Sequence, residues 1–446
     1  IDLDGTAFPQ IRTTYGYDDF NNPVRIERDA YDGVTLIGST TTNNQFNNVT
    51  DSGRWIIGEI TESDVDGVVG SSLPIVRHTS FTPDAPTGHI TQSVIEPDDT
   101  NLRLQNDYGY DSFGNLQSDM QSGRDITTRT NHLYYDTASG EFPATSTDAK
   151  SQSSTLTFDP RFGGQTSITD PNSATQSVHY DTLGRTDKST NPDGTMTVRS
   201  YDFCSGVIGG TATCPTTGAY VITATPQNMA GTQDGASTSV YYDALDRVIA
   251  TDTQGFDGSI IRIAASYEDA TGRLSRTSRP YFLSGGTAQN TQYAYDALNR
   301  ITLTTFPDSS ETSYCYHGLT TSTTNDKGQT KTVVKNFQDL PVAVVDNAGG
   351  ACLATGGVAT TYVYDAFGDP LTITDAAHNT ITNTFDVRGS KKTSSDPDMG
   401  LWHYGYDQLA ELIGQTDANG NATTLQYDVL QRPLTRTEAD FYSKWV

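Results

Sequence analysis

The clearest local pattern in the chain is a two-residue alternation of apolar and polar positions. In Arg300-Ile301-Thr302-Leu303-Thr304-Thr305-Phe306, Ile301 and Leu303 fall on one side and Thr302 and Thr304 on the other. That is the spacing of a β-strand. No stretch sustains the 3.6-residue periodicity of an amphipathic helix, so the predicted elements are strands throughout.

The strands recur with a period. Aromatics followed by Asp, or by a close substitute, stand at Tyr295, Tyr316, Phe337, Tyr364, Phe385, Tyr406 and Tyr427, at intervals of 21, 21, 27, 21, 21 and 21 residues. The same unit recurs at Tyr135, Phe158, Tyr180, Tyr201, Tyr242 and Tyr267 with looser spacing, and earlier at Tyr17 and Tyr110. Four copies read YDTLGR from Tyr180, YDALDR from Tyr242, YDALNR from Tyr295 and YDVLQR from Tyr427. Each unit carries two turn signals. One is the Asp-x-x-Gly/Asn after the aromatic, where Asp can accept backbone hydrogen bonds and the last residue tolerates positive φ. The other lies half a period later, as NPDG from Asn191, DPDMG from Asp396 and DANGN from Asp417. Two turns in each period leave two strands of about six residues, an ordinary strand length.

One unit is therefore a hairpin too small to stand alone. Laid side by side, the hairpins form a long antiparallel ribbon with its aromatics in a stripe. Because sheets twist, such a ribbon curls. The predicted fold is all-β: tandem hairpins in a ribbon that forms part of a hollow shell. A leucine-rich skeleton, a calcium-binding nonapeptide and a propeller-length period are all absent. Residues 1–105 read as a less regular β region and residues 106–446 as the continuous strip. Inserts fall near 203–240, 252–266, 276–291 and 349–360.

Composition fits a thin wall better than a solid core. Counting Gly, apolar residues are about 38% of the 446, against a usual ~45–50%. Charged residues, at 18%, are too few for a disordered chain, and 24 Tyr and 16 Phe need burial somewhere. The net charge of −26 repels phosphate backbones and argues against a nucleic-acid partner. No run approaches the length of apolar residues that a membrane helix needs, so no membrane insertion is expected.

Candidate chemistry is sparse. Cys204 and Cys214 bracket a Gly-rich insert that stretches one aromatic interval to 41 residues, from Tyr201 to Tyr242. An exported protein would close this loop with a disulfide; the alternative is two free thiols. Cys315 and Cys352 form a second candidate pair, and four cysteines allow three pairings. There is no CxxC, and the seven histidines are scattered, so neither a zinc site nor any other metal or cofactor site is predicted. DLDG from Asp2 and DVDG from Asp64 lack the further ligands of a calcium loop and read as turns. No nucleophile-base arrangement emerges, so the chain is not expected to be an enzyme. The repeated aromatics read as a structural ladder more readily than as a sugar-stacking platform. Asn48 opens an NVT sequon, relevant only in a glycosylating host.

The Tyr-Asp-x-x-Gly-Arg unit, with a Pro-Asp-Gly turn half a period later, resembles the Rhs or YD repeat, from about Tyr110 onward. The N-terminal DSGRWIIGEIT from Asp51, SFTPDAPTGHI from Ser80, YGYDSFGN from Tyr108 and the insert CSGVIGGTATCP from Cys204 resemble SpvB-type proteins and the B component of insecticidal toxin complexes. The resemblance implies a passive, secreted or cell-surface container wall that encloses a C-terminal toxin cargo. Its partners would be the rest of the same polypeptide or complex and the enclosed polypeptide. A teneurin-like adhesion or carbohydrate-binding module is the alternative. DPDMGLWHYGYD from Asp396 lacks the paired glycines and second Asp-Pro of that family's self-cleaving segment and reads as an ordinary turn. The next aromatic would fall at position 448, so the chain reads as stopping in mid-repeat. Its 15 to 16 hairpins, at ~21 residues each, predict a partial wall.

Overall fold

In the computed structural model, residues 2–3, 5–51, 53–346 and 356–445 are described. Among them no helix is long and apolar enough to cross a membrane. The described residues form 36 β-strands in one antiparallel sheet. Strand β1 (Gln10–Tyr17) pairs with β2 (Pro23–Asp32), and β2 with β3 (Thr35–Asp51). The pairing then steps from each strand to the next as far as β36 (Tyr442–Lys444). It crosses residue 105 without a break, because β6 (Ile90–Ile95) pairs with β7 (Leu104–Tyr110). The longest strands lie in the first region. β3 and β4 (Arg54–Val69) have 17 and 16 residues, whereas β22 (Asn290–Tyr295) and β23 (Ile301–Thr305) have 6 and 5.

One step departs from this order. The C-terminal end of β19 (Ile260–Tyr267) pairs with β20 (Leu274–Ser278), while its N-terminal end pairs with the short β21 (Tyr281–Phe282). β20 then pairs with β22, so β21 is a side branch.

The curl has a local cause. The ladder shifts register where an aromatic enters its turn: Gly109/Tyr110, Thr157/Phe158, His179/Tyr180, Tyr241/Tyr242, Ala294/Tyr295, Val363/Tyr364, Thr384/Phe385, Gly405/Tyr406 and Gln426/Tyr427. A bulge bends and over-twists its strand. Repeating it always beside the Asp turn bends the ribbon steadily in one sense.

The bend is large enough for the ribbon to meet itself. Hydrogen bonds join residues 282 to 316 positions apart, and they advance in step. Asp2 meets Arg300, Arg77 meets Val387, Leu102 meets Arg388 and Arg129 meets Glu411. The chain therefore completes one circuit and lays a second coil along the first. The predicted partial wall is correct in that the sheet stays open, with β1 and β36 each paired on one side only. It does not capture this overlap, which depends on curvature that hairpin counting does not supply.

Two local expectations change. The sequence predicts a turn at Asp64, but the residue lies inside β4, paired with Asn43 and His78 on its two sides. The Gly67 of DVDG is instead a point of close approach: a Cβ there would sit 2.8 Å from the Cβ of Ala366 in the second coil. Asn48 lies in β3 with its amide nitrogen donating to Asp18 Oδ2 at 3.0 Å, so the sequon nitrogen is already engaged.

Candidate functional site

Two constructions define what this molecule can do: the brace that ties one repeat to the next, and the seam that ties one coil to the next.

The brace is built from the Tyr-Asp-x-x-Gly-Arg residues. In the unit at Tyr295, Asp296 Oδ1 accepts from the backbone N–H groups of Leu298 and Arg300. Asn299 closes the turn at φ 63°, in the left-handed region that Gly and Asn tolerate best. Arg300 Nε donates to Asp296 Oδ2 at 2.7 Å, and its guanidinium carbon lies 4.3 Å from the centroid of the Tyr316 ring in the following unit. The same Arg-on-Tyr stacking joins Arg185 to Tyr201, Arg247 to Tyr267 and Arg273 to Tyr295.

Each tyrosine then reaches backwards. The hydroxyls of Tyr180, Tyr201, Tyr316 and Tyr427 donate to the carbonyls of Gln165, Thr186, Ile301 and Leu412, each at the strand start after the preceding turn. Tyr110, Tyr267, Tyr295 and Tyr364 do the same with Ile90, Val248, Leu274 and Pro341. Phe158 stacks on Phe142 and Tyr242 on Tyr220, with centroids 5.4 and 4.7 Å apart. Tyr135, Phe385 and Tyr406 end the strands β9 (Arg129–Tyr135), β30 (Thr380–Phe385) and β32 (Gly400–Tyr406) before their turns. The exception is Phe337. Asn336 closes that turn with Leu340 and Lys335 sits at the register shift, so Lys335 fills the aromatic slot. Phe337 is two residues further on, where its ring covers Gly38 of the first coil.

The electrostatics follow the hydrogen bonds. The backbone N–H of Arg185, and then its side chain, hold the Asp181 carboxyl below its ordinary range against the opposing effect of burial. At Asp243 and Asp296 burial pulls the carboxyl upward, and the Arg247 and Arg300 contacts outweigh it.

The seam is where the Asp-turn edge of the second coil sits on the opposite, second-turn edge of the first. Gln408, 1% exposed, donates to the Asn101 carbonyl and accepts from the Asp125 N–H. Arg388 donates to the Leu102 carbonyl. Arg77 donates to the Val387 carbonyl and lies 3.8 Å over the Phe367 ring. Arg129 Nη2 donates to both carboxylate oxygens of Glu411 at 3.0 and 2.9 Å, with both side chains buried. Burial raises the Glu411 carboxyl above its ordinary value, opposed by Arg129. At the two ends, Asp2 binds Arg300 at 2.6 Å and Lys150 binds Asp428 at 2.6 Å. Arg300 first, then backbone donors, lowers the Asp2 carboxyl to about 2.

The cysteine expectation holds at one pair: Cys204 and Cys214 form a disulfide. Cys315 is not a free thiol, and Cys352 lies outside the described residues. The 349–360 insert is described only from residue 356. Asp396 and Gly400 face each other across an ordinary hairpin turn. His78, which sequence reasoning left aside, meets Glu62 at 3.0 Å and Asp98 at 3.2 Å. With Asp64, the first two donors could converge on one ion. Asp64 and His78 sit directly opposite in adjacent strands, a pairing that only the register reveals.

The described residues thus form a sheet wound into stacked coils, with a repeating brace and a polar seam. Residues 411–440 match the RHS Repeat family model. Over those residues the chain is similar to the Rhs repeat, and its fold is that of the toxin-complex shell structures. It superposes on the crystal structure of TcdB2-TccC3 with a TM-score of 0.70 at 14% identity, covering 96% of this chain and 30% of that one. For TcdB2-TccC3-Cdc42 the TM-score is 0.70 at 12% identity, covering 96% and 32%. For the Photorhabdus luminescens Tc holotoxin pore with the TccC3 mutation D651A it is 0.73 at 12%, covering 98% and 32%. The chain thus spans about a third of the length of these solved structures, and at such identity the likeness is one of fold. No curated protein sequence matches it.

Proposed function

We propose that the chain is a wall segment of a toxin-complex-like container that encloses a polypeptide cargo for export and delivery, and that it acts outside the producing cell without catalysis of its own. The observation that carries this reading is the seam. Arg129–Glu411, Gln408 and Arg77 close the gap between coils, which a flat adhesive ribbon would not require. An extracellular setting agrees with the Cys204–Cys214 disulfide. The partners would be the rest of the same polypeptide or complex and the enclosed cargo. The acidic surface, at −26, favours a soluble particle over one bound to nucleic acid.

Limited proteolysis of the full gene product, produced with any component it assembles with, tests the reading. A downstream segment should resist protease in the intact particle and become cleavable when Arg129→Ala opens the seam. A segment cleaved equally fast in both would refute enclosure.

A further inference from the structure

The one irregular step in the sheet encloses a pocket that the wall function does not use. The inserts noted near 203–240 and 276–291 converge on the strands β17 (Thr238–Tyr242), β18 (Val248–Gln254) and β19. Cys214 and Pro215 of the disulfide loop wall one side, and Leu283, just beyond the side branch β21, walls the other. The space between is about 370 Å³, within the usual range for a small-ligand site of ~300–1,000 Å³.

Strand register decides what lines its floor. Ser239 faces Asp252 and Asp252 faces Arg262 across the strands, so all three share one face with Tyr241 and Gln254. Tyr242, the repeat aromatic, points to the opposite face. The floor is therefore free of the ladder that holds the ribbon together. Asp252 is 7% exposed and receives Arg262 Nε and Nη2 at 2.6 Å each. The two charges cancel, and Arg262 Nη1 makes no hydrogen bond among the described residues. The Tyr241 ring lies beside the guanidinium, 5.5 Å from its carbon. Burial first, and then Asp252, raise the Tyr241 phenol above its ordinary value, which keeps it a neutral donor. Gln254 and Ser239 are fixed by Gln233 and Thr223.

An aromatic ring, a charge-neutral pair with a spare guanidinium donor, an amide and a hydroxyl suit neither an anion nor a cation. They suit a ligand with an apolar face and several hydroxyls. We propose that this pocket, formed by the disulfide loop and the β21 branch over Tyr241, Asp252 and Arg262, binds a neutral saccharide. It goes beyond the container reading, and neither depends on the other.

The test is saturation-transfer-difference NMR and calorimetry on the folded chain with the methyl glycosides of glucose, galactose, mannose and N-acetylglucosamine, and with sialic acid as an anionic control. At least one neutral glycoside should bind. Tyr241→Ala should weaken it at least tenfold, while Tyr220→Ala on the opposite face should leave it unchanged. If Tyr241→Ala does not fold, Leu283→Ala serves in its place, because its side chain is 42% exposed and walls the pocket. No binding by any neutral glycoside, binding by sialic acid alone, or affinity unchanged in the pocket variants would overturn the proposal.

Discussion

The first and second coils present the same turn in two environments. In the first coil the residue two places after the turn Asp is Leu183 or Leu245, each 72% exposed. In the second coil the equivalent Phe367 lies under Arg77, and the neighbouring Ala366 and Gln408 are almost wholly buried. The turns themselves are alike. Asp181, Asp243, Asp365 and Asp407 each accept from the N–H groups two and four residues on. Local conformation is thus set inside the unit, whereas burial is set by whether another coil lies alongside. Stability should accordingly divide into a part inside the ribbon and a part that belongs to the seam.

The largest effect should come from breaking the seam. Arg129→Ala leaves Glu411 buried without its partner, a class of change that costs about 3–5 kcal/mol. Arg185→Ala removes a half-exposed pair within its own turn and the stacking on Tyr201, and should cost only about 1 kcal/mol. Denaturant unfolding measures both, and equal losses would mean that the seam adds nothing. Hydrogen exchange in Arg129→Ala should rise first around residues 101–129 and 388–411.

Apolar contacts should show the same asymmetry on a smaller scale. Phe367→Ala should destabilise by about 2 kcal/mol, the scale of burying an aromatic side chain. Leu183→Ala at the matching exposed position should stay within about 0.5 kcal/mol. Gly67, against which Ala366 packs, should tolerate no larger residue without loss of the seam.

The ladder, by contrast, should ignore seating. Tyr180→Phe and Tyr427→Phe each remove one hydroxyl donated to a backbone carbonyl, worth about 1 kcal/mol, and their melting temperatures should fall alike. A marked difference between them would show that coil contact strengthens the brace.

Acid should expose the last and smallest contrast. Asp2 has its carboxyl lowered to about 2 by Arg300. A lowered carboxyl stabilises the folded state fully above the unfolded value near 3.8. That contribution fades as pH falls towards 2. Glu411 is shifted upward, so its protonation favours the folded state at low pH and partly offsets the loss. Asp2→Asn should therefore flatten the acid limb of the stability profile, and Glu411→Gln should not.

Much of this was legible in the residues. Alternation identified the strands, the interval of 21 identified the hairpins, and Asp with Gly, Asn or another residue of positive φ identified the turns. These depend only on neighbours in sequence, which is why they are written there so plainly. The Cys204–Cys214 bridge belongs to the same group, since both ends lie in one short loop. Phe337 shows where such reading fails. The interval of 21 assigns this aromatic to the ladder, but Asn336 stands in for Asp, so the unit is shifted by two residues and Lys335 fills the slot.

Tertiary structure alone decided the rest. The small bend at each bulge accumulates over about 300 residues, and only the completed circuit brings Arg129 to Glu411, Phe337 to Gly38 and Arg300 to Asp2. No residue near Arg129 announces a partner 282 positions away. The pocket over Tyr241 likewise needs two inserts that are remote in sequence to meet on one face. The repeat fixes the local shape because its forces act within a few residues. The wall exists because those shapes add up.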